Sequence, residues 1–142
     1  MLEENNKDRS YLYGRLLAIY EKLEADTLYS GTNEVGNRST NAERLWTAYT
    51  KTPARTLMIL EEKIRPYKER LQKGKPSSYI YYERLIGKII NDLSGNENFD
   101  NEKNNPLNED FVFGYYAQEQ DLYKKKSEDK KDEVLENMKE VY

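Results

Sequence analysis

Apolar side chains recur every three or four residues along most of the chain, which predicts helices and no strands. The first predicted helix covers residues 8–29, with Asp8 as its N-cap. Its apolar stripe consists of Leu12, Leu16, Ile19, Tyr20 and Leu23. The Gly- and Asn-containing segment 30–37 then predicts a loop.

Two further helices are predicted between residues 40 and 76. Thr40 and Glu43 have the spacing of a capping box and open a short helix that contains Trp46. Thr52-Pro53 reads as an N-cap followed by a first-turn proline, and this longer helix ends at Gly74-Pro76. Pro66 lies inside it and predicts a kink near residues 62–66.

The remaining pattern predicts two more helices and a tail. Ser77 or Ser78 is expected to cap a helix whose stripe ends at Leu93, and Asn108 to cap another that extends through Tyr123. A polar connector, residues 94–107, separates them. The fold class is therefore all-α, a compact bundle of about five helices over residues 1–126, with residues 127–142 as a charged tail or frayed helix.

Composition limits the chemistry. The chain has 142 residues, of which 37% are hydrophobic and 35% charged, and it contains no Cys and no His. Disulfides, thiolate chemistry, zinc sites and His-based acid–base pairs are thereby excluded. No apolar run approaches the roughly 20 residues of a membrane span. We expect a cytoplasmic protein that has no cofactor and does not bind membranes.

The net charge of −3 hides an uneven distribution of charge. Residues 38–88 contain 12 Lys and Arg but five acids, which gives +7, whereas residues 1–37 carry −3 and residues 89–142 carry −7. Such a basic segment can follow a phosphate backbone. A merely solvated helix surface would have the same residues, so both interpretations stay open at this point. The candidate phosphate contacts are Arg15, Arg38, Arg44, Lys51, Arg55, Lys63, Arg70, Lys73 and Lys75.

Thirteen tyrosines and one tryptophan are the second unusual feature. Tyrosine can stack on unpaired bases or anchor a protein interface, but many of these residues fall on the apolar stripes and fit an ordinary core. Trp46 is expected in the core or at an interface. Paired carboxylates such as Glu61-Glu62 lack a His, a phosphate-binding Gly loop or a metal-ligand spacing beside them. A non-enzymatic protein is therefore favoured over a metal-dependent hydrolase.

Three segments in series carry a family resemblance. They are residues 10–23, with the Gly14-Arg15 pair; residues 51–54, Lys-Thr-Pro-Ala, which follow a loop containing Asn33 and Arg38; and residues 111–120, with Gly-Tyr-Tyr-Ala-Gln at 114–118. Over residues 9–123 the chain resembles the C-terminal region of the large subunit of type I-C CRISPR surveillance complexes (Cascade). That region also yields a separate small subunit from an internal start, and a 142-residue chain that begins at its own Met resembles this subunit.

The resemblance implies an α-helical subunit, present in more than one copy, that stabilises the guide–target R-loop without cutting it. The implied partners are the large and backbone subunits, other copies of the chain, and target DNA through its displaced strand or the heteroduplex backbone, with guide RNA as a further candidate. The main alternative is a purely structural scaffold without nucleic-acid contact. Ala117 and Glu119 stand where the family usually has His and Arg, whereas Tyr115 and Gln118 are expected to pack and to form buried hydrogen bonds.

Overall fold

The computed structural model of the protein describes residues 2–29, 40–95 and 104–124, and these residues form six helices and no strand. The helices are α1 (Arg9–Tyr29), α2 (Asn41–Arg44), α3 (Trp46–Lys51), α4 (Pro53–Gly74), α5 (Pro76–Ser94) and α6 (residues 110–124). The predicted all-α class is confirmed. Within the described ranges, no helix is long and apolar enough to cross a membrane.

Helix α1 is the centre of the bundle. Every residue from Arg9 to Tyr20 is buried, so this helix is covered on all sides, as expected of a core helix. Helices α4 and α5 pack against α1 and against each other, α2 packs against α1 and α4, and α3 packs against α4. Asp8 caps α1 as predicted, because its carboxylate accepts a hydrogen bond from the Tyr11 backbone N–H at 3.2 Å.

Helices α4 and α5 are amphipathic and form a hairpin. Leu60, Ile64 and Leu71 of α4 face the core, as do Ile86 and Ile89 of α5. Burying each such side chain contributes roughly 1.5–3 kcal/mol, so these stripes fix which face of each helix is left for solvent.

The helix ends agree only partly with the sequence prediction. The short predicted helix is two helices, α2 and α3, separated at Leu45. The expected Ser cap of α5 is wrong, because α5 begins at Pro76 and Lys75 precedes it without a side-chain cap. Thr40 does cap α2, since its hydroxyl accepts from the Glu43 N–H at 3.2 Å. Helix α4 runs through Pro66 as one continuous segment.

Tyrosine hydroxyls connect α1 to α3, α4, α5 and α6. The Tyr20 hydroxyl donates to Glu61 of α4 at 3.2 Å, and the Tyr49 hydroxyl of α3 donates to the Tyr13 carbonyl at 2.9 Å. Tyr82 of α5 donates to Asp26, and Tyr115 of α6 donates to Glu21 at 2.7 Å. Burial and the adjacent carboxylates raise the pKa values of Tyr20, Tyr82 and Tyr115. Hydrogen bonds between helices in the protein interior thus account for several of the 13 tyrosines.

Candidate nucleic-acid interface

The outer face of α4 is basic. Arg55, Lys63, Arg70 and Lys73 are all exposed, and at 100° per residue they fall within one arc of about 80°, whose centre lies about 120° around the helix from the buried Leu60 and Ile64. Because the core stripe fixes the rotation of α4, these four side chains lie on the solvent side together. The structure therefore brings together four of the sequence-predicted candidates.

Lys51 and Lys75 extend this surface at the two ends of α4. Lys51 is the last residue of α3, just before α4 begins, and Lys75 is the single residue between α4 and α5. Both side chains are exposed. Arg44, at the end of α2, is also exposed, but it already interacts with another group of the protein. It is therefore not counted in the surface defined next. We call Lys51, Arg55, Lys63, Arg70, Lys73 and Lys75 the basic surface.

The cations of the basic surface are not neutralised by the ion pairs of the described residues. Those pairs use Lys7, Lys22, Arg65 and Lys68 instead, with Arg65 bound to Glu62 at 2.8 Å and Lys68 to Glu83 at 2.9 Å. Two acids, Glu62 and Glu69, are also exposed on α4 and dilute its charge. The positive charge is nevertheless in excess and available for a polyanion.

Two further exposed cations, Arg84 and Lys88 of α5, were not among the predicted candidates. Their position could have been read from the sequence, because they lie opposite the stripe that contains Tyr82, Ile86 and Ile89. They belong to the same basic segment but to a different helix face.

Arg15 does not belong to the basic surface, which corrects its prediction as a phosphate contact. Its side chain is only 2% exposed, and its Nε donates to Gln118 Oε1 at 2.8 Å. Burial lowers the pKa of Arg15, an effect that Tyr11, Glu4, Asp92 and Asp121 partly offset. The guanidinium holds α1 and α6 together inside the protein instead of facing solvent. Arg38 lies outside the described residues.

Two glycines let α1 and α6 cross in direct backbone contact. A Cβ on Gly14 would lie 2.1 Å from the Phe111 carbonyl oxygen, and a Cβ on Gly114 would lie 2.1 Å from the Tyr11 carbonyl oxygen. Both distances are far below van der Waals contact, so only glycine fits at either position. The Gly14-Arg15 pair and the 114–118 segment are therefore the two sides of one helix crossing.

Aromatic packing completes this crossing. The Trp46 ring lies 4.8 Å from both the Phe111 and Tyr115 rings in edge-on geometry, which is favourable for aromatic pairs. Tyr115 and Gln118 therefore have the packing and buried hydrogen-bonding roles expected from the sequence. Ala117 and Glu119 are half-buried beside them.

Residues 1–123 match the family Cas_Csd1, described as CRISPR-associated protein. The chain belongs to the Cas_Csd1 family. The match covers most of the 142 residues and confirms the resemblance seen in the three sequence segments. No curated protein matches the chain.

Membership in Cas_Csd1 makes the chain a CRISPR-associated Cascade component. The glycine crossing lies inside the matched region, as does the whole basic surface. In residues 2–29, 40–95 and 104–124, no group of three or more Asp or Glu side chains is arranged to hold a metal ion.

Proposed function

We propose that the chain is a non-catalytic small subunit of a type I-C Cascade, which acts in the cytoplasm and stabilises the guide RNA–target DNA R-loop. The observation that carries this proposal is the basic surface, six exposed cations along α4 and at its two ends. In such a complex, base pairing reads the target sequence, so the protein needs contacts only with the nucleic-acid backbone.

Geometry supports backbone contact over base recognition. The basic surface follows the length of α4, a 22-residue helix of about 33 Å at 1.5 Å per residue. Its cations are long, flexible side chains spread along that length, suited to successive phosphates. Each neutralised phosphate releases counterions, so binding should weaken as salt rises.

The proposed protein partners are the large and backbone subunits of Cascade and other copies of this chain. Family membership supports this part of the proposal, because Csd1-family chains are CRISPR-associated. Exposed large apolar side chains, such as Phe113 at 63% and Tyr116 at 55%, are consistent with protein contacts beyond the basic surface.

The test is target-DNA binding by the assembled Cascade with Lys63, Arg70 and Lys73 all changed to Glu. We expect assembly to be retained, and the slope of log K against log salt to fall in magnitude by about 2 to 3. The matched control exchanges the cations for each other, as Lys63→Arg, Arg70→Lys and Lys73→Arg, and should bind like the wild type.

Two outcomes would contradict the proposal. If the Glu variant binds target DNA with unchanged affinity and salt slope, the basic surface does not contact nucleic acid. If it fails to assemble before any DNA is added, the surface contacts protein, which favours the scaffold alternative.

A further inference from the structure

The outward side of α6 carries an apolar stripe. Val112, Phe113, Tyr116 and Tyr123 are all exposed, with Phe113 at 63% and Tyr116 at 55%. They lie within about 100° of one another on the helix, while Phe111, Tyr115 and Leu122 face the core. We call these four residues the α6 outer face. A stripe of four large apolar side chains on one exposed helix face is typical of an interaction surface.

Carboxylates predominate around Phe113 and Tyr116 of the α6 outer face, whereas the Lys22 ammonium lies 4.9 Å from the ring centroid of Tyr123 at the other end. Glu109 and Glu119 flank this face, and a groove of about 380 Å³ between α6 and the N-terminal segment is lined by Glu3, Asp110, Phe113 and Tyr116, among others. Partial desolvation, and then the charges of Asp8 and Glu109, raise the pKa of Asp110. Such crowded carboxylates repel phosphate and favour a cationic protein surface.

The exposed side of α5 has the opposite character. Ile80, Arg84, Gly87, Lys88 and Asn91 form one stripe, which we call the α5 outer face, and it contains no acid. A Cβ at Gly87 would meet nothing within 4 Å. Glycine is unfavourable inside a helix, and no neighbouring atom requires it here. Gly87 therefore leaves open space close to the helix backbone on this face.

We propose that the α6 outer face of one copy docks on the α5 outer face of a second copy. The aromatic rings of α6 would fill the space above Gly87 beside Ile80, while Arg84 and Lys88 approach the carboxylates around α6. The outer face of α4 is a poorer match, because its exposed Glu62 and Glu69 would oppose those carboxylates. The contact joins two different surfaces and is therefore heterologous. A dimer would leave one α5 outer face and one α6 outer face unoccupied.

This inference specifies the contact between copies that the proposed function includes, and it does not involve nucleic acid. The basic surface on α4 stays outside the contact. Association between copies and DNA binding can therefore fail independently of each other.

The first experiment measures self-association of the full chain by sedimentation velocity, over a range of protein and salt concentrations. The wild type should associate, and more weakly at high salt. Gly87→Gln should weaken association by at least about tenfold. The melting temperature of this variant should be unchanged or higher, because Gln has a higher helix propensity than Gly and its Cβ would meet no atom of the same copy within 4 Å. A merely structural role for Gly87 would not separate association from stability in this way.

The second experiment mixes two variants that break opposite faces. Tyr116→Lys disrupts the α6 outer face, and Gly87→Gln the α5 outer face, so each variant alone should be mostly monomeric at the lowest concentrations at which the wild type associates. Together they retain one intact pair of faces and should form a 1:1 dimer that does not grow. Met58→Lys is the control, since Met58 is exposed and apolar but lies on α4, and it should associate like the wild type.

Several results would overturn the proposal. A wild type that stays monomeric at all concentrations would do so, as would association that survives Gly87→Gln or is lost in Met58→Lys. A Tyr116→Lys variant that melts earlier but associates normally would show that the α6 outer face is covered by its own chain. The proposed function is tested separately, by the DNA binding of the assembled Cascade.

Discussion

Arg15 at the crossing of α1 and α6 and Arg70 on the outer face of α4 are the same residue type on long helices, yet they have opposite environments. Arg15 is buried and donates to Gln118, whereas Arg70 is exposed and forms no ion pair within the described residues. The helix crossing therefore uses charge to hold the fold together. The outer face of α4 leaves its charge for a partner.

The two regions should respond to substitution in different ways. Changes at the crossing alter the free energy of unfolding, since the contacts lie inside one copy. Changes on the basic surface should leave that free energy within about 0.5 kcal/mol and alter binding instead.

The largest effect is expected for Gly114→Ala. Its added Cβ would lie 2.1 Å from the Tyr11 carbonyl oxygen, and because that atom belongs to a helix backbone, the two helices must separate. We expect a loss of about 3 kcal/mol in the free energy of unfolding, measured by urea denaturation. Gly87→Ala is the matched control and should be more stable by about 1 kcal/mol, since it meets no neighbour. Equal effects at the two glycines would contradict the crossing.

Next in size is Arg15→Met, which removes the partner of a buried amide. Gln118 would keep a desolvated oxygen without a donor, so we expect a loss of about 2 kcal/mol. The double variant with Gln118→Leu should recover most of that loss, because an apolar pair needs no hydrogen bond. A double-mutant cycle by urea denaturation measures this coupling, and strictly additive losses would argue against it.

A smaller change, confined to binding, is expected for Lys63→Gln. One phosphate contact fewer should lower the magnitude of the salt slope of target-DNA binding by about 1, with unfolding unaffected. Arg65→Gln is the matched control on the same helix, because Arg65 already pairs with Glu62 at 2.8 Å. The comparison fails if both variants change the slope equally.

The smallest effect concerns the pH dependence of stability through Glu21. Burial raises the pKa of this carboxyl group, a shift that the Tyr115 hydrogen bond partly opposes and that Glu119, Glu43 and Glu24 reinforce. A carboxyl with a raised folded-state pKa favours the protonated form, so its contribution is present at low pH and lost as pH rises through the folded value. Glu21→Gln should therefore remove part of the fall in melting temperature between acidic and neutral pH. A steeper fall in the variant would reverse the assigned sign.

Local pattern was enough to predict much of the fold. Helices α4 and α5 follow from their apolar stripes, and the α1 and α2 starts follow from Asp8 and Thr40, whose caps act within three residues. The break at Leu45 was not predicted, because both halves of that segment favour helix. The start of α5 was misassigned because Pro76 itself is an acceptable first residue.

The sequence predicts the candidate site only as far as the site depends on which side of a helix faces solvent. The positions of Arg55, Lys63 and Arg70 on the outer face of α4 follow from the core stripe of that helix. The burial of Arg15 does not, since its partner Gln118 lies 103 residues away in the sequence. The pairing of Gly14 with Gly114 likewise depends on a tertiary crossing that no local window contains.

The position of Trp46 gives the protein a built-in optical reporter. It is the only tryptophan of the chain and belongs to α3, yet its edge-on aromatic neighbours, Phe111 and Tyr115, both belong to α6. Its fluorescence should therefore change when α6 leaves the bundle, even if the remaining helices stay folded. Comparing that emission with circular dichroism at the helix band distinguishes local release of α6 from global unfolding without any attached dye.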